Sequence, residues 1–248
     1  MDIWKYYYIT HKKHKICNPM SENKLNKLLS LLDLNSKSRV LDIACGKGEF
    51  LIRLAELYDI SGVGVDISPF FIRECNEKKN NRVPDSDIEI LEMDGIKYLP
   101  KRNEFFDLTL CIGASFVYDG FIRTIDALKD MTKQNGFIII GEPFWQEKPN
   151  DKYLEMSGIK KEDFNTHLKN IDTGEKKGLN CLYTLVSNHD DWDHYETLQW
   201  WSTNNYVTSN PDDPDNPELL SNMEKAKKEY LLYGKDTLGW AIYIFKKI

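Results

Sequence analysis

The residues most suggestive of chemistry are a carboxylate and two glycines at the end of an apolar run. Asp42 lies in the run at residues 40–44, which is followed at once by Gly46 and Gly48 and then by an amphipathic helical pattern. Glycine lets the backbone turn sharply and lets a ligand approach where a Cβ atom would collide with it. We therefore expect a ligand-binding turn between a strand and a helix, with Asp42 beside it.

Two classes of ligand use such a turn. The dinucleotide fingerprint needs a third glycine three positions after Gly48, to hold a pyrophosphate at the helix N-terminus, and that position is Leu51. Asp42 would also repel a pyrophosphate, whereas it would attract a ligand that carries a sulfonium and an ammonium group. These residues favour the cationic ligand.

This segment resembles the first motif of the class I S-adenosylmethionine-dependent methyltransferases, acid-x-Gly-x-Gly-x-Gly, with Ala44 in place of the first glycine. Further landmarks of the family follow in order. The resemblance implies that Asp66 binds the ribose hydroxyls, that Asp94 binds the adenine amine, and that residues 111–115 line the methionine part of S-adenosylmethionine. The implied cofactor-binding residues are Asp42, Ala44, Cys45, Gly46, Gly48, Asp66, Ile67, Asp94, Gly95, Cys111, Ile112, Gly113 and Ser115. We expect the two cysteines among them to be small wall residues rather than nucleophiles.

Residues outside these landmarks are candidates for binding the methyl acceptor or moving its proton. Segments 18–19, 142–145 and 191–196 resemble a bacterial subfamily of small-molecule methyltransferases, a resemblance that assigns no acceptor. The predicted substrate-lining residues are Phe116, Trp145, Trp192 and Tyr195. Trp192 and Tyr195 share one helical face, which core packing explains about as well as a pocket does.

A hydroxyl or ammonium acceptor needs a general base, although no base is compulsory for methyl transfer itself. The candidate bases are Glu142, His189, Asp190 and His14. His11 and His14 belong to an aromatic, basic N-terminal arm, and the family commonly folds its N-terminus over the site.

The pattern around these residues alternates short apolar runs with helical segments. Runs at 40–44, 62–66, 88–91, 106–112, 136–141, 181–186 and 240–245 predict seven strands. Such strands, alternating with helices, are typical of a mostly parallel sheet covered on both faces. We expect an α/β, Rossmann-like methyltransferase fold in a single domain over residues 1–248. Its core would comprise residues 22–142, 181–188 and 236–248, and a helical cap would comprise residues 1–20, 143–180 and 190–233.

Composition limits the partners. The chain has 33 Lys and Arg against 39 Asp and Glu, a net charge of −6, with its lysines scattered among acids, so we expect no nucleic-acid partner. The five cysteines are widely spaced, without a Cys-x-x-Cys pair, which predicts reduced thiols and no metal site. The start of the chain lacks a signal-peptide layout, and no apolar run approaches about 18 residues, which predicts a cytoplasmic protein without membrane contact. Nothing in the sequence indicates an oligomeric state.

These observations predict an enzyme, an S-adenosylmethionine-dependent methyltransferase that acts on a small molecule. The fourth predicted strand lacks the Asn/Asp-Pro-Pro-aromatic pattern of enzymes that methylate planar amides or nucleobase amines. Two alternatives stay open: a non-catalytic S-adenosylmethionine-binding protein, and a nicotinamide-dependent oxidoreductase, against which Leu51 and Asp42 argue.

Overall fold

The computed structural model describes residues 1–101 and 105–248, and within these ranges seven strands form one sheet. The strands are β1 Arg39–Ile43, β2 Ser61–Asp66, β3 Ile88–Glu92, β4 Phe106–Ile112, β5 Thr132–Trp145, β6 Leu179–Val186 and β7 Leu238–Lys247. Their order is β3-β2-β1-β4-β5-β7-β6. Strands β1 to β5 pair in parallel, and β7 is antiparallel to both of its neighbours. The predicted fold class is confirmed.

Helices connect the strands and extend beyond the end of the sheet. They are α1 Ile3–Thr10, α2 Glu22–Ser30, α3 Glu49–Tyr58, α4 Pro69–Arg82, α5 Phe121–Met131, α6 Asp151–Ser157, α7 His167–Lys176, α8 His189–Ser209, α9 Asn216–Glu229 and α10 Lys235–Thr237. Short 3₁₀ turns follow β3 and β4 at Gly95–Lys97 and Ser115–Tyr118, and a π-helical turn covers Tyr230–Gly234. None of the helices in the described ranges has the length and apolar character needed to cross a membrane.

Local sequence signals explain several helix starts. The Ser68 side chain accepts a hydrogen bond from the backbone N–H of Phe71, with Pro69 as the first helical residue. Helix α8 begins with a reciprocal capping box between Asn188 and Asp191. Within residues 190–233, which were expected to belong to a helical cap, α8 and α9 are separated by a proline-containing break.

The core lies on both faces of the sheet because neighbouring strand residues point to opposite sides. On β4, Leu110 joins a cluster that includes Leu51 of α3, whereas Cys111 joins a cluster that includes Ile125 of α5. Helices α2 and α3 therefore contribute to one face, and helix α5 to the other. With both faces covered, the strand ends are left to form the site.

The observed β5 differs from the predicted strand at 136–141. It runs from Thr132 to Trp145, because residues 137–145 pair continuously with β7. Asn135 has a left-handed φ of 63°, and the register between β4 and β5 shifts at this place. The Asn-Gly pair that marks a turn in the sequence is therefore an irregularity within the strand.

Candidate active site

A cavity of about 540 Å³ lies at the carboxyl ends of β1, β2 and β4. Its floor includes the turn after β1, Asp66, Asp94 and the residues that follow β4. Residues 1–20, here called the N-terminal arm, lie over it together with Tyr195 of α8. Of the predicted cofactor residues, those that line the cavity are Ala44, Cys45, Gly46, Asp66, Ile67, Asp94, Gly95, Ile112 and Gly113. A more open depression of about 630 Å³ on the α9 surface contains none of the candidate residues.

The two glycines of the turn have different structural roles. Gly46 and Gly48 both have left-handed φ values, of 55° and 71°. A Cβ atom on Gly46 would meet no atom within 4 Å, whereas one on Gly48 would lie 2.3 Å from Cys75 Sγ. Gly46 therefore leaves an open face toward the cavity, and Gly48 allows α4 to pack against the turn. Ala44, with a φ of 56°, occupies a conformation that would cost glycine less.

Asp66 fixes the turn from below. Its Oδ2 accepts a hydrogen bond from Gly46 N, and its Oδ1 accepts one from Ser68 N, both at 2.8 Å. Burial raises the pKa of Asp66, and the backbone N–H donors oppose that rise. Each carboxylate oxygen keeps a further lone pair. Because Asp66 also lines the cavity, it can accept a hydrogen bond from a ligand hydroxyl group while it holds the turn.

Asp42 lies in the sheet beneath this turn rather than on the cavity wall, and its side chain is buried. Among residues 1–101 and 105–248, none donates a hydrogen bond to its carboxyl group. Burial raises its pKa well above the usual value, and the neighbouring charge of Asp66 raises it further. A buried carboxyl group whose ionisation is opposed by a neighbouring carboxylate would be stabilised in its charged form by a ligand cation. The carboxyl groups of Asp42 and Asp66 thus fit a cationic ligand.

The remaining predicted cofactor residues divide between wall and interior. Asp94 lines the cavity, and its Oδ1 accepts a hydrogen bond from Ile96 N at 3.2 Å. Cys111 and Ser115 do not line it: Cys111 is buried in the core, which raises the pKa of its thiol, and Ser115 donates to Glu142. A Cβ atom on Gly113 would lie 2.2 Å from Asn18 Nδ2, so the N-terminal arm packs directly on this glycine.

Lys47, inside the binding turn, holds the arm in place. Its ammonium group donates to the carbonyl oxygens of His11 at 2.8 Å and His14 at 3.3 Å, and it forms an ion pair with Glu74 at 2.8 Å. The Lys47 side chain is buried. Nothing in the local sequence distinguished this lysine, because its partners lie more than 30 positions before it and 27 after it.

The arm also contacts α8 through two histidines. His11 Nε2 lies 2.9 Å from the Tyr195 hydroxyl, and both side chains line the cavity. His14 Nε2 donates to the backbone carbonyl of Tyr195 at 2.9 Å. Burial lowers the pKa of His11 to about 3 and that of His14 to about 4, so both rings are neutral at physiological pH.

The four candidate bases lie outside the cavity wall. His14 contacts the carbonyl and the ring of Tyr195 without lining the cavity, while His189 and Asp190 are exposed at the start of α8. Glu142 is buried on β5; its Oε1 accepts a hydrogen bond from Ser115, and its Oε2 has no partner in the described part of the chain. Burial raises the pKa of Glu142 to about 7, an effect that the Ser115 hydrogen bond opposes.

The predicted substrate-lining residues are also split. Phe116 lines the cavity at its mouth with 74% of its surface exposed, and Tyr195 lines it from above. Trp145 does not reach the cavity, because its indole N–H donates to Lys161 O and its ring packs against Tyr153 and Phe164. Trp192 packs against the core beside Tyr195, on the same face of α8. Both tryptophans are therefore packing residues in this structure and do not line the cavity.

No group of three or more His, Cys, Asp or Glu side chains within the described ranges is arranged to hold a metal ion. The polar groups on the cavity wall include carboxylates, backbone groups, the neutral His11 and the Tyr195 hydroxyl.

Comparison with known proteins gives a consistent result. A family model described as a methyltransferase domain matches residues 40–136. The uncharacterised protein YjhP of Escherichia coli is 27% identical over 98% of both chains, and its crystal structure superimposes with a TM-score of 0.91. A methyltransferase of Geobacter sulfurreducens, solved with S-adenosyl-L-homocysteine, has a TM-score of 0.93 and 26% identity, covering 100% of this chain and 99% of that one.

A more distant relative is the tRNA U34 carboxymethyltransferase of Campylobacter fetus, 26% identical over 79% of this chain and 69% of that protein. The family match covers β1 to the start of β5, which includes the binding turn, Asp66 and Asp94, and the full-length structural likeness covers the arm and the helices beyond the sheet as well. Residues 40–136 thus match a methyltransferase domain, and the full chain resembles S-adenosylmethionine-dependent methyltransferases that were solved with S-adenosyl-L-homocysteine.

Proposed function

We propose that this protein binds S-adenosylmethionine on the turn after β1 and transfers its methyl group to a small molecule beneath the N-terminal arm. The observation that carries the proposal is the open face at Gly46 on the cavity wall, with the carboxyl group of Asp66 on the same wall and the buried carboxyl group of Asp42 in the strand before the turn. Asp66 and Asp94 would accept hydrogen bonds from the ribose and the adenine, and residues 112–113 would border the methionine part. S-adenosylmethionine supplies an electrophilic methyl group when it is bound.

The protein's own task is then geometric. Holding an acceptor atom in line with the methyl group lowers the barrier by converting a bimolecular step into an effectively unimolecular one. The arm supports this task, because Lys47 ties it to the binding turn and His11 and His14 tie it to α8. The arm also shields the reacting atoms from water.

A small acceptor is favoured over RNA by the position of the arm and by charge. The Campylobacter relative is named for its action on tRNA, but here the arm lies across the cavity and the net charge of −6 provides no general attraction for phosphates. The cysteines are unpaired within the described ranges, and reduced thiols are typical of the cytoplasm, where we place this activity.

The test combines binding with turnover. Isothermal titration with S-adenosylhomocysteine should give heat, and the same compound should raise the melting temperature, whereas NADH should do neither. Incubation with S-adenosylmethionine and a metabolite mixture should then produce S-adenosylhomocysteine. Absence of binding would refute the cofactor assignment, and binding without turnover under any mixture would favour the non-catalytic alternative.

A further inference from the structure

We propose that Tyr195 and His11 form a proton relay for an acceptor hydroxyl group, so that the protein is an O-methyltransferase. The inference rests on the proposed function and assigns a substrate class to the same cavity. Tyr195 is the residue that would touch the acceptor, and His11 acts through it as a positioning residue and final proton acceptor.

The hydrogen bonds around His11 define its tautomer. Its Nδ1 lies 3.1 Å from the carbonyl oxygen of Tyr7, which can only accept a hydrogen bond, and 3.0 Å from Thr10 Oγ1. The Thr10 hydroxyl donates to the Tyr6 carbonyl at 3.1 Å, so both neighbours of Nδ1 can accept, and we assign the proton to Nδ1. Nε2 of the neutral ring is then an acceptor, and at 2.9 Å it receives the hydrogen bond that the Tyr195 hydroxyl donates. This leaves the lone pairs of the Tyr195 oxygen free to accept a proton from a molecule in the cavity.

The backbone around the pair is fixed from two sides. His14 Nε2 donates to the Tyr195 carbonyl, and Lys47 binds the His11 carbonyl, so the segments carrying both side chains are anchored. The His11 and His14 rings also pack together, with centroids 4.9 Å apart. Such anchoring is what a proton relay needs, because proton transfer requires hydrogen-bond distances to be maintained.

The direction of the His11–Tyr195 hydrogen bond indicates the acceptor class, because the Tyr195 oxygen then presents lone pairs to the cavity and suits a group that gives up a proton. The low basicity of His11 agrees with this. Burial, reinforced by His14 and Lys47, lowers its pKa to about 3, so the ring cannot take a proton from an ammonium group before methyl transfer. A neutral amine would need no relay during the transfer. A hydroxyl differs from both, because its proton becomes strongly acidic as its oxygen bonds to the methyl carbon, and even a weak base then accepts it.

The step balances without a further reactant. The acceptor oxygen forms a bond to the methyl carbon while the sulfur–methyl bond breaks, and the bonding pair stays on sulfur. The acceptor proton passes to the Tyr195 oxygen as the Tyr195 proton passes to His11 Nε2. The products are a methyl ether, S-adenosylhomocysteine and a protonated His11, which returns its proton to solvent.

The first experiment needs no substrate. Nitrogen-15 NMR of the histidine side chains, in the presence of S-adenosylhomocysteine at pH 7, should show His11 protonated on Nδ1, with assignment through His11→Gln. Tyr195→Phe should shift the Nε2 signal toward that of an unbonded nitrogen. Tyr206→Phe is the matched control on α8, since it removes a hydroxyl bonded to Asp213, and it should leave the signal unchanged. Protonation on Nε2 would overturn the relay.

The second experiment uses deuteromethyl-labelled S-adenosylmethionine with two matched mixtures. One contains phenol and benzyl alcohol, the other aniline and benzylamine, chosen because Trp4, Tyr7 and Phe116 present aromatic rings to the cavity. We expect label on oxygen, with kcat about 10²-fold lower in Tyr195→Phe and His11→Gln. Affinity for S-adenosylhomocysteine should be unchanged in His11→Gln, which keeps the hydrogen bond to Tyr195.

Glutamine at position 11 can accept the Tyr195 hydrogen bond but cannot take its proton, so it separates positioning from proton transfer. Wild-type kcat in His11→Gln would overturn the relay. Label found on nitrogen alone would overturn the hydroxyl assignment while leaving the proposed methyl transfer intact, and failure to bind S-adenosylhomocysteine would refute the proposed function instead.

Discussion

The link between Lys47 and the N-terminal arm allows a quantitative prediction. Replacing Lys47 by Met keeps much of the apolar stem but removes the ammonium group and its bonds to the His11 and His14 carbonyls and to Glu74. A hydrogen bond to a charged group contributes about 1.5–3 kcal/mol. The His11 bond is short and buried, the His14 bond is longer, and Glu74 keeps Lys12 as a partner. We therefore expect the docked arm to lose about 3 kcal/mol.

That loss should be visible as more frequent opening of the arm. Each 1.4 kcal/mol is a factor of ten in an equilibrium constant, so 3 kcal/mol raises the open population by about 10². Hydrogen–deuterium exchange of the amides in the arm should accelerate by the same factor in Lys47→Met, while amides in β4 and β7 keep their rates. Affinity for S-adenosylhomocysteine should fall as well, because the arm covers its site.

Lys12→Met is the matched control. Lys12 also pairs with Glu74, but its side chain is 55% exposed, and exposed ion pairs contribute only about 0–1 kcal/mol. Exchange in the arm should therefore rise less than tenfold in this variant. If Lys47→Met and the wild type exchanged their arm amides at the same rate, Lys47 would not hold the arm, and the coupling inferred from its contacts would be wrong.

Three further predictions concern the floor of the cavity and β5. Asp66→Ala should weaken S-adenosylhomocysteine binding by about 1.5–3 kcal/mol in calorimetry, because the ligand and Gly46 lose a charged acceptor. Unchanged affinity would show that Asp66 does not bind the ribose. Gly48→Ala should lower the melting temperature more than Gly46→Ala, because only the methyl group at position 48 meets Cys75. Gly46→Ala should impair ligand binding more than Gly48→Ala. The opposite result in either measurement would contradict the assigned roles. Glu142→Gln should remove a pH dependence of unfolding free energy: the folded pKa is raised from 4.5 to about 7, so a contribution of about 3 kcal/mol is complete below pH 4.5 and lost as pH rises through 7. If urea unfolding gave the same pH dependence of the unfolding free energy for the variant and the wild type, the contribution assigned to Glu142 would be wrong.

The sheet and the binding turn were predictable because their signals are local. The buried central strands are largely apolar, and Gly46 and Gly48 occupy backbone conformations that favour glycine. Asp66 follows from the same logic, since a carboxylate that ends an apolar strand needs a partner. The end of β5 was less predictable, because Asn135 and Gly136 have turn chemistry but lie within a strand that β7 extends.

The cover of the cavity was not predictable in the same way. His11 and Tyr195 meet across 184 positions, and no periodicity links an arm residue to a particular turn of α8. His11 and His14 are equivalent in the sequence, but the structure places only His11 on the cavity wall. Trp145 follows a strand end, where ligand sites are common, but the continuation of β5 carries it into contact with Tyr153 and Phe164.

The contacts of the arm connect the two halves of the site. Lys47 belongs to the turn proposed to bind the cofactor, and Tyr195 belongs to the wall proposed to bind the acceptor, and both hold the same arm segment through His11. A ligand that stabilises the docked arm at the cofactor site therefore also stabilises the arm conformation that the acceptor site needs, and the reverse holds as well. Because coupling free energy between two sites is reciprocal, an acceptor that strengthens the His11–Tyr195 contact must tighten cofactor binding by the same factor that the cofactor tightens acceptor binding.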